Sequence, residues 1–418
     1  NEYGIPGRAA ELHEAAGGTR ILMRQDRTDI ELQLPLAGIL KEVHGRVSQV
    51  DYQHVEVEPE GEIGTLFEQE GVEGRFTFHL GLNDNHEGVF GLHFSHRNFS
   101  ALGEEAFMPR TDIDSLALFT VHSLDVDTTT FEFGLRAERR SLAQIDGSCD
   151  DSSTSFSGSA SSIWRFREDM NLLLSYAYSQ RSATVEELYS NIDTGCNALA
   201  LDELILHVAT RRFEIGDPRA EREASNNVEI GLRKHLGNVT GELNIFYNEI
   251  SDYLFLFDTG IFTDGIEISS YAQEDAVFQG VETQLGFPIF RNGEHLSELS
   301  VFADYVSAKF DSSGNVPRIP PLRFGAELRH SHLHWQARLR LTQVQDQSST
   351  ASKESKTEGH TLLNIYLDYH VTFGDRTGIL FLKGSNLLDE SIRRHTSLLK
   401  DVAPAPGRAI EIGLRFEF

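Results

Sequence analysis

IEIGLRFEF, residues 410–418, ends the chain and decides its fold. Every second position is apolar, from Ile410 through Ile412, Leu414 and Phe416 to Phe418, and Glu, Gly and Arg fill the positions between them. Successive side chains of a β-strand point to opposite sides, so this strict period of two is typical of a strand with one apolar and one polar face. The C-terminal stretch is therefore predicted to be a β-strand.

The same alternation recurs along almost the whole chain and predicts an all-β fold. It gives about 17 strands, most of them close to the ten residues with which a tilted strand crosses a bilayer. Helical periodicity is confined to two short pieces, Val185–Tyr189 and residues 199–206. The clearest further strands are residues 131–138, 172–179, 228–233, 335–341 and 363–370.

Two features favour an antiparallel transmembrane β-barrel over a soluble sandwich or a propeller. The polar faces carry charges in strand after strand, Arg338 and Arg340 among them, and a barrel can turn such a face to a wet lumen while the other face meets lipid. Short turns such as 236–238 alternate with long polar loops, as in outer-membrane barrels with short periplasmic turns and long outer loops. The segments predicted to lie outside are 1–27, 56–65, 98–106, 140–153, 181–222, 252–265, 309–318, 345–360 and 386–406.

Composition argues against several classes of protein. The 418 residues carry a net charge of −27, whereas a nucleic-acid binder needs a basic surface. Two cysteines are too few for a zinc finger or a disulfide scaffold, and no apolar run is long enough for a transmembrane helix. The sequence also lacks the GxSxG, HExxH and phosphate-loop patterns, so no enzymatic activity is predicted.

Several segments match the pattern of a known family. They are 175–189 (SYAYSQRSATVEELY), 213–218 (FEIGDP), 225–233 (SNNVEIGLR), 279–282 (QGVE), 317–321 (PRIPP), 386–389 (NLLD) and the terminal Phe418. Together they resemble TonB-dependent outer-membrane receptors, which implies a 22-stranded barrel filled by an N-terminal plug. About 17 strands would leave about five absent, and no plug, TonB-contacting segment or signal peptide is recognised. Residues 1–418 are therefore expected to form a partial barrel of such a receptor.

A narrower resemblance is to the zinc-uptake branch of that family. It is carried by 1–7 (NEYGIPG), 99–107 (FSALGEEAF), 213–218 and 395–407 (HTSLLKDVAPAPG). The resemblance implies import of zinc, free or chelated, across a Gram-negative outer membrane. Zinc would be a transported ligand and not a permanently bound cofactor. The implied partners are the TonB complex, reached through the plug, the membrane lipid and the barrel-assembly machinery. The alternatives are a haem or siderophore receptor, a passive porin and, from another class, an outer-membrane hydrolase.

The candidate zinc ligands are histidines and carboxylates in the outer loops, since zinc binds His nitrogen, carboxylate oxygen and thiolate. Glu104 and Glu105 lie in GEEAF, and His207 lies six residues before FEIGDP. The resemblance implies a carboxylate ligand in the first motif and a His ligand near the second. The alternative is that these are solvated loop residues. Weaker candidates are His93, His96 and His13, the last in a loop that is His-rich in other members of the branch.

Other histidines are given structural or solvated roles. His330, His332 and His334 form HSHLH, which looks like a metal-binding tract. The topology places this tract in a periplasmic turn, so solvated turn residues are expected there. His395 belongs to a loop motif of the family, and a structural role is expected for it.

Cys149 and Cys196 lie in adjacent outer loops. An even pair of cysteines outside the cytoplasm is normally oxidised, so a disulfide is the favoured prediction. A pair of metal-bound thiolates or two free thiols are the alternatives.

Overall fold

A computed structural model of the chain describes residues 2–4, 20–57, 61–103, 106–145, 147–207, 210, 212–373 and 376–416. Almost all of the secondary structure is strand, which confirms the all-β prediction. No helix in these ranges is both long and apolar enough to span a membrane. The elements are β1 (Glu2–Gly4), β2 (Arg20–Pro35), β3 (Leu40–Val57), β4 (Ile63–Asn83), β5 (His86–Gly103), β6 (Thr111–Val126), β7 (Thr129–Gln144), β8 (Asp151–Arg167), β9 (Met170–Arg181), α1 (Val185–Tyr189), β10 (Phe213–Ile215), β11 (Glu223–Lys234), β12 (Thr240–Thr263), β13 (Ile266–Asn292), β14 (His295–Phe310), β15 (Arg323–His332), β16 (Trp335–Val344), β17 (His360–Phe373), β18 (Arg376–Ser385) and β19 (Ala409–Phe416).

The chain divides into two compact units. The first comprises residues 1–162, 175–227 and 249–276. In it, β2 to β7 pair with their sequence neighbours in antiparallel ladders, and the β2–β3 ladder runs unbroken from Arg20↔Val57 to Pro35↔Glu42. Short connections join each strand to the next at one end. This meander is what alternating sequences with tight turns produce.

The second unit comprises residues 163–174, 228–248 and 277–418. Strands β14 to β19 form a similar antiparallel series in it. In the last strand, β19, the apolar residues Ile410, Ile412 and Leu414 are 66%, 70% and 50% exposed. A row of exposed aliphatic side chains is typical of a strand face that contacts lipid.

Several segments assigned from the sequence differ from the structure. Residues 252–265 are not a loop, because β12 and β13 continue through them as a long hairpin. At its tip, Asp264 and Gly265 have φ of 52° and 77°, as in a type I′ turn, which favours Asp-Gly. Strand β5 likewise extends to Gly103, and residues 199–206 form turns without a helix, whereas Val185–Tyr189 is helical as predicted.

Candidate metal site in the outer loops

The long loops of the first unit are ordered around a hydrophobic core of their own. This outer-loop core is contributed by residues of β6, β7 and β12, by α1, and by the segments that precede α1, β6 and β8. Its burial fixes loop segments that are far apart in the sequence, so polar groups attached to it hold defined positions. Its buried members are Phe107, Met108, Ile113, Leu142, Cys149, Ala183, Val185, Leu188, Tyr189 and Leu254.

Helix α1 is only five residues long and is held at its start by a capping box. The hydroxyl of Thr184 accepts a hydrogen bond from the backbone N–H of Glu187, and the Glu187 carboxylate accepts one from the N–H of Thr184. Arg181 donates to Glu187 at 2.8 Å and to Glu223 of β11 at 2.7 Å. The helix thereby places Leu188 and Tyr189 in the outer-loop core, where burial raises the pKa of the Tyr189 phenol.

A disulfide joins Cys149 to Cys196 across the two adjacent loops. The Cα atoms are 5.2 Å apart, within the range that a disulfide requires. The backbone N–H of Ser148 also donates to the carbonyl of Thr194 at 3.0 Å. The segment after α1 is therefore fastened both to the core and to the loop before β8.

Asn191 organises the backbone around the candidate site. Its side-chain nitrogen donates to the carbonyls of Ile205 and Glu214, at 2.9 and 2.8 Å, and its side-chain oxygen accepts from the N–H of Ile205. Its own N–H donates to the carbonyl of Phe107. The residue has φ of 50°, a left-handed conformation that Asn tolerates better than most residues. The side chain and the backbone N–H of Asn191 together thus join the segments that carry His207, Glu214 and Phe107.

His207 and Glu214 form the centre of the site. Nδ1 of His207 lies 3.1 Å from Oε2 of Glu214. The direction is poor for a hydrogen bond, and among the described residues this buried nitrogen has no hydrogen-bond partner. The imidazole ring stacks on Phe107 with the centroids 4.3 Å apart. Phe107 therefore forms an apolar wall along one face of the histidine.

The Glu214 carboxylate is almost wholly buried, with 3% of its side chain exposed. Its other oxygen accepts a hydrogen bond from the hydroxyl of Thr210 at 2.6 Å. The nearby Arg212 is paired with Asp258 instead. A buried carboxylate needs a compensating charge or hydrogen bonds, and the described contacts of Glu214 are only to a hydroxyl and to His207. The pair offers one imidazole nitrogen and one carboxylate oxygen to a cation.

Glu214 was not among the residues predicted to bind metal. It lies between Phe213 and Ile215 in β10, whose three residues pair in parallel with β13. At Gly216 an added Cβ would lie 2.5 Å from the carbonyl carbon of Leu188, so the motif FEIGDP packs tightly against α1. The sequence contained one indication of its role: Glu214 is a single acidic residue between two apolar ones, and a glycine follows them. The burial that distinguishes it depends on the non-local contact with β13.

The predicted residues are only partly assembled around this pair. Glu104, Glu105 and His13 lie outside the described residues. Phe107, which contacts His207, follows Glu105 by two positions in the chain. In the described ranges no three His, Cys, Asp or Glu side chains are grouped so as to hold an ion. The described geometry therefore supplies two possible ligands, and Phe107, the last residue of GEEAF, forms the apolar wall beside them.

His93 and His96 are each engaged by a carboxylate on a neighbouring strand. Nε2 of His93 is 2.9 Å from Glu73, and Nδ1 of His96 is 2.8 Å from Asp114. These two contacts do not include His207 or Glu214.

In the second unit, His395 belongs to a buried polar cluster that links two loops. Lys400 Nζ donates to Glu354 Oε1 at 3.0 Å, to the carbonyl of Ser355 at 2.8 Å and to His395 Nδ1 at 3.4 Å. Because an ammonium group only donates, Nδ1 of His395 is the acceptor in this contact. Nε2 of His395 lies 3.1 Å from Glu354 Oε1. We call Glu354, His395 and Lys400 the loop cluster.

Comparison with known proteins identifies the architecture. A family described as "TonB dependent receptor-like, beta-barrel" matches residues 41–387. Similar solved structures include the copper transporter OprC, with a TM-score of 0.79 and 15% identity over 97% of this chain and 67% of that one. The FrpB iron transporter from Neisseria meningitidis (F3-3 variant) gives 0.72 and 15% over 95% and 63%. The ferric citrate transporter FecA gives 0.65 and 17% over 99% and 65%.

This chain spans less than two thirds of the length of the FrpB and FecA structures. At such low identities, the structural likeness shows the fold alone. The family match is stronger evidence, since it extends over most of the chain. The chain belongs to the TonB-dependent receptor β-barrel family.

Proposed function

We propose that this chain serves TonB-dependent import of zinc, free or chelated, across the outer membrane of a Gram-negative bacterium. The observation that carries the proposal is the pairing of His207 with the buried Glu214, 3.1 Å apart. Among the described residues, Glu214 has no Lys or Arg partner. Imidazole and carboxylate are both zinc ligands. A mixed site of this kind suits a transporter, which must release its ion as well as bind it.

Glu104 or Glu105 completes the site in this proposal. The structure supports their participation indirectly, because Phe107 of the same segment stacks on His207. Transport draws on the TonB complex, which acts through a plug as the family resemblance implies. The net charge of −27 assists by raising the local concentration of cations near the outer loops.

The similar solved structures are named as transporters of copper, iron and ferric citrate. The test therefore compares the uptake of these metals with that of zinc. The receptor is expressed in a zinc-starved Gram-negative strain that lacks its own zinc receptor, and uptake of radiolabelled zinc is measured beside copper and iron. We expect His207→Ala and Glu214→Gln each to lower zinc uptake at limiting concentration by about tenfold or more, because each removes a ligand. The double change Glu104→Ala/Glu105→Ala should do the same.

His44→Gln is the matched control. His44 also contacts a carboxylate, with Nε2 2.8 Å from Glu31, but it lies on β3, outside the loops. Its loss should leave uptake unchanged. Wild-type zinc uptake in His207→Ala and Glu214→Gln, at equal amounts of receptor in the membrane, would show that the ligands lie elsewhere. Preferential uptake of copper or iron by the unchanged receptor would reject zinc as the substrate.

A further inference from the structure

Three histidines from two neighbouring strands meet at the short-turn end of the second unit. His295 begins β14, and His330 and His332 are in the last three residues of β15. The β14–β15 register pairs Ser297 with His330 and Leu296 with Ser331. His295 consequently falls opposite His332, and all three histidines share one face of the sheet. The sequence alone grouped His330 and His332 with His334 and gave no sign of His295.

The first two rings already stand at the separation of two metal ligands. Nδ1 of His295 is 3.4 Å from Nε2 of His330. Two nitrogens bound to one tetrahedral zinc, at Zn–N distances of about 2.0–2.1 Å, are themselves roughly 3.3–3.4 Å apart. The pair therefore needs little movement to bind one ion.

A hydrogen bond orients His330 for this role. Its Nδ1 contacts the hydroxyl of Ser297 at 2.7 Å, which directs Nε2 toward His295. Histidine ligands in metal sites are typically held in this way, with the nitrogen that does not bind the metal engaged in a hydrogen bond. Trp335 supports the ring from the next strand, stacked with centroids 4.8 Å apart.

His332 is placed to provide a third nitrogen. Its ring centroid is 4.4 Å from that of His295, and its buried Nδ1 has no hydrogen-bond partner in the part of the chain that the structure describes. Nε2 lies 3.6 Å from a carboxylate oxygen of Glu294 in the preceding turn. The described side chains are not grouped about a single point as they stand. A rotation of the His332 ring is the change that would group them.

We propose that His295, His330 and His332 form a second site for a divalent transition-metal ion, with Glu294 as a fourth ligand. Three imidazoles and a carboxylate suit zinc, copper or nickel. The site shares no residue with the His207–Glu214 pair, so the proposal is independent of the transport function. The topology predicts that these short turns face the periplasm.

The test uses the receptor purified in detergent and carrying His207→Ala and Glu214→Gln, so that the outer-loop pair contributes no binding. Zinc binding is measured by isothermal titration calorimetry, and cobalt binding by its visible absorption, which reports tetrahedral coordination. We expect one equivalent of either metal to bind. The added triple change His295→Ala/His330→Ala/His332→Ala should abolish it.

His334→Ala is the control from the same turn, since its ring centroid is 6.1 Å from that of His332 and it is not one of the proposed ligands. It should retain the full equivalent. Ser297→Ala removes only the orienting hydroxyl and should weaken metal binding severalfold. It also provides an alternative test of the site if the triple variant does not assemble. Equal binding before and after the triple change, or wild-type affinity in both Ser297→Ala and His330→Gln, would overturn the proposal.

Discussion

At the scale of single residues, the loop cluster shows how buried charge can fix a loop. Lys400 and His395 are 5% and 3% exposed. Burial by itself would raise the pKa of Glu354, but the contacts with His395, the N–H of Ala351 and Lys400 outweigh it and lower the pKa to about 2. The cluster pairs one carboxylate with one ammonium group and places both beside an imidazole. Removing one charged partner leaves the other buried and unpaired.

Lys400→Met should therefore loosen the loops around Glu354 and His395. Breaking a buried ion pair costs about 3–5 kcal/mol, and here the cost should appear as local opening. Hydrogen exchange of residues 345–359 and 386–408 is the measurement. Lys309→Met, which changes an exposed lysine near the end of β14, is the control and should leave exchange unchanged. Equal exchange in both variants would contradict the role assigned to the cluster.

The same cluster predicts a response to acid. The folded-state pKa of Glu354 is lowered from 4.5 to about 2, so its stabilisation is fully present above pH 4.5 and is lost as the pH falls toward 2. The protection of the two loops, that is, the exchange rate corrected for the pH dependence of the intrinsic rate, should fall within that window. In Glu354→Gln the loops should already be loosened at neutral pH, and this step between pH 4.5 and 2 should disappear. A step of unchanged size in that variant would assign it to other carboxylates.

The residues also show what sequence reasoning could and could not reach. A structural role for His395 follows from its family-like motif and agrees with its burial. Glu214 was missed because its burial arises from pairing with β13 and from the amide of Asn191, both distant in the sequence. His295 was missed for a similar reason, since strand register and not sequence spacing brings it to His330. Ligand types are visible in a sequence, but their convergence is a property of the fold.

At the scale of elements, strands are the part of this chain that the sequence specifies best. All strands except β1 and β10 are eight residues or longer, and alternation marks such strands. The three-residue strands β1 and β10 carry no detectable period, because three positions are too few to establish one. Residues 252–265 were misassigned as a loop because the polar residues near the hairpin tip outweighed the Asp264-Gly265 turn signal.

Strand β19 provides a test of the lipid-facing side. Ile412 is 70% exposed on the apolar face, and a charge on a lipid-facing position near the bilayer midplane costs about 2–4 kcal/mol. We expect Ile412→Arg to reduce assembly strongly, as measured by the heat-modifiable band on gels and by the amount of receptor in the outer membrane.

Glu411→Arg is the matched control, since Glu411 is an exposed neighbour on the opposite face, 4.0 Å from Lys383. Gly413 is unsuitable, although it lies on the polar face, because an added Cβ would be 2.3 Å from the ring of Phe381. Equal assembly of Ile412→Arg and Glu411→Arg would contradict the assignment of the faces.

At the scale of the whole molecule, different interactions stabilise the long strands and the packed set of loops. The strands are stabilised by continuous ladders of backbone hydrogen bonds and by the alternation of apolar and polar side chains. Changes in the loops leave both of these intact. The outer-loop core depends on contacts among segments distant in sequence, including the disulfide between Cys149 and Cys196. Loss of the disulfide should therefore affect the proposed metal site without preventing assembly of the strands.

Cys149→Ser/Cys196→Ser tests this separation. The bridge spans 47 residues, and closing a loop of that length contributes about 4 kcal/mol in the chain-entropy description. The variant should assemble in the membrane, but protease should cleave its segment 181–222 faster, and zinc uptake should fall because the same segment carries His207 and Glu214. Reductant should reproduce the faster cleavage in the unchanged receptor and have no further effect on the variant. Cleavage at the unchanged rate would show that the apolar packing of Phe107, Leu188 and Tyr189 is sufficient to hold the loops, whereas failure of the variant to assemble would show that strands and loops are not independent.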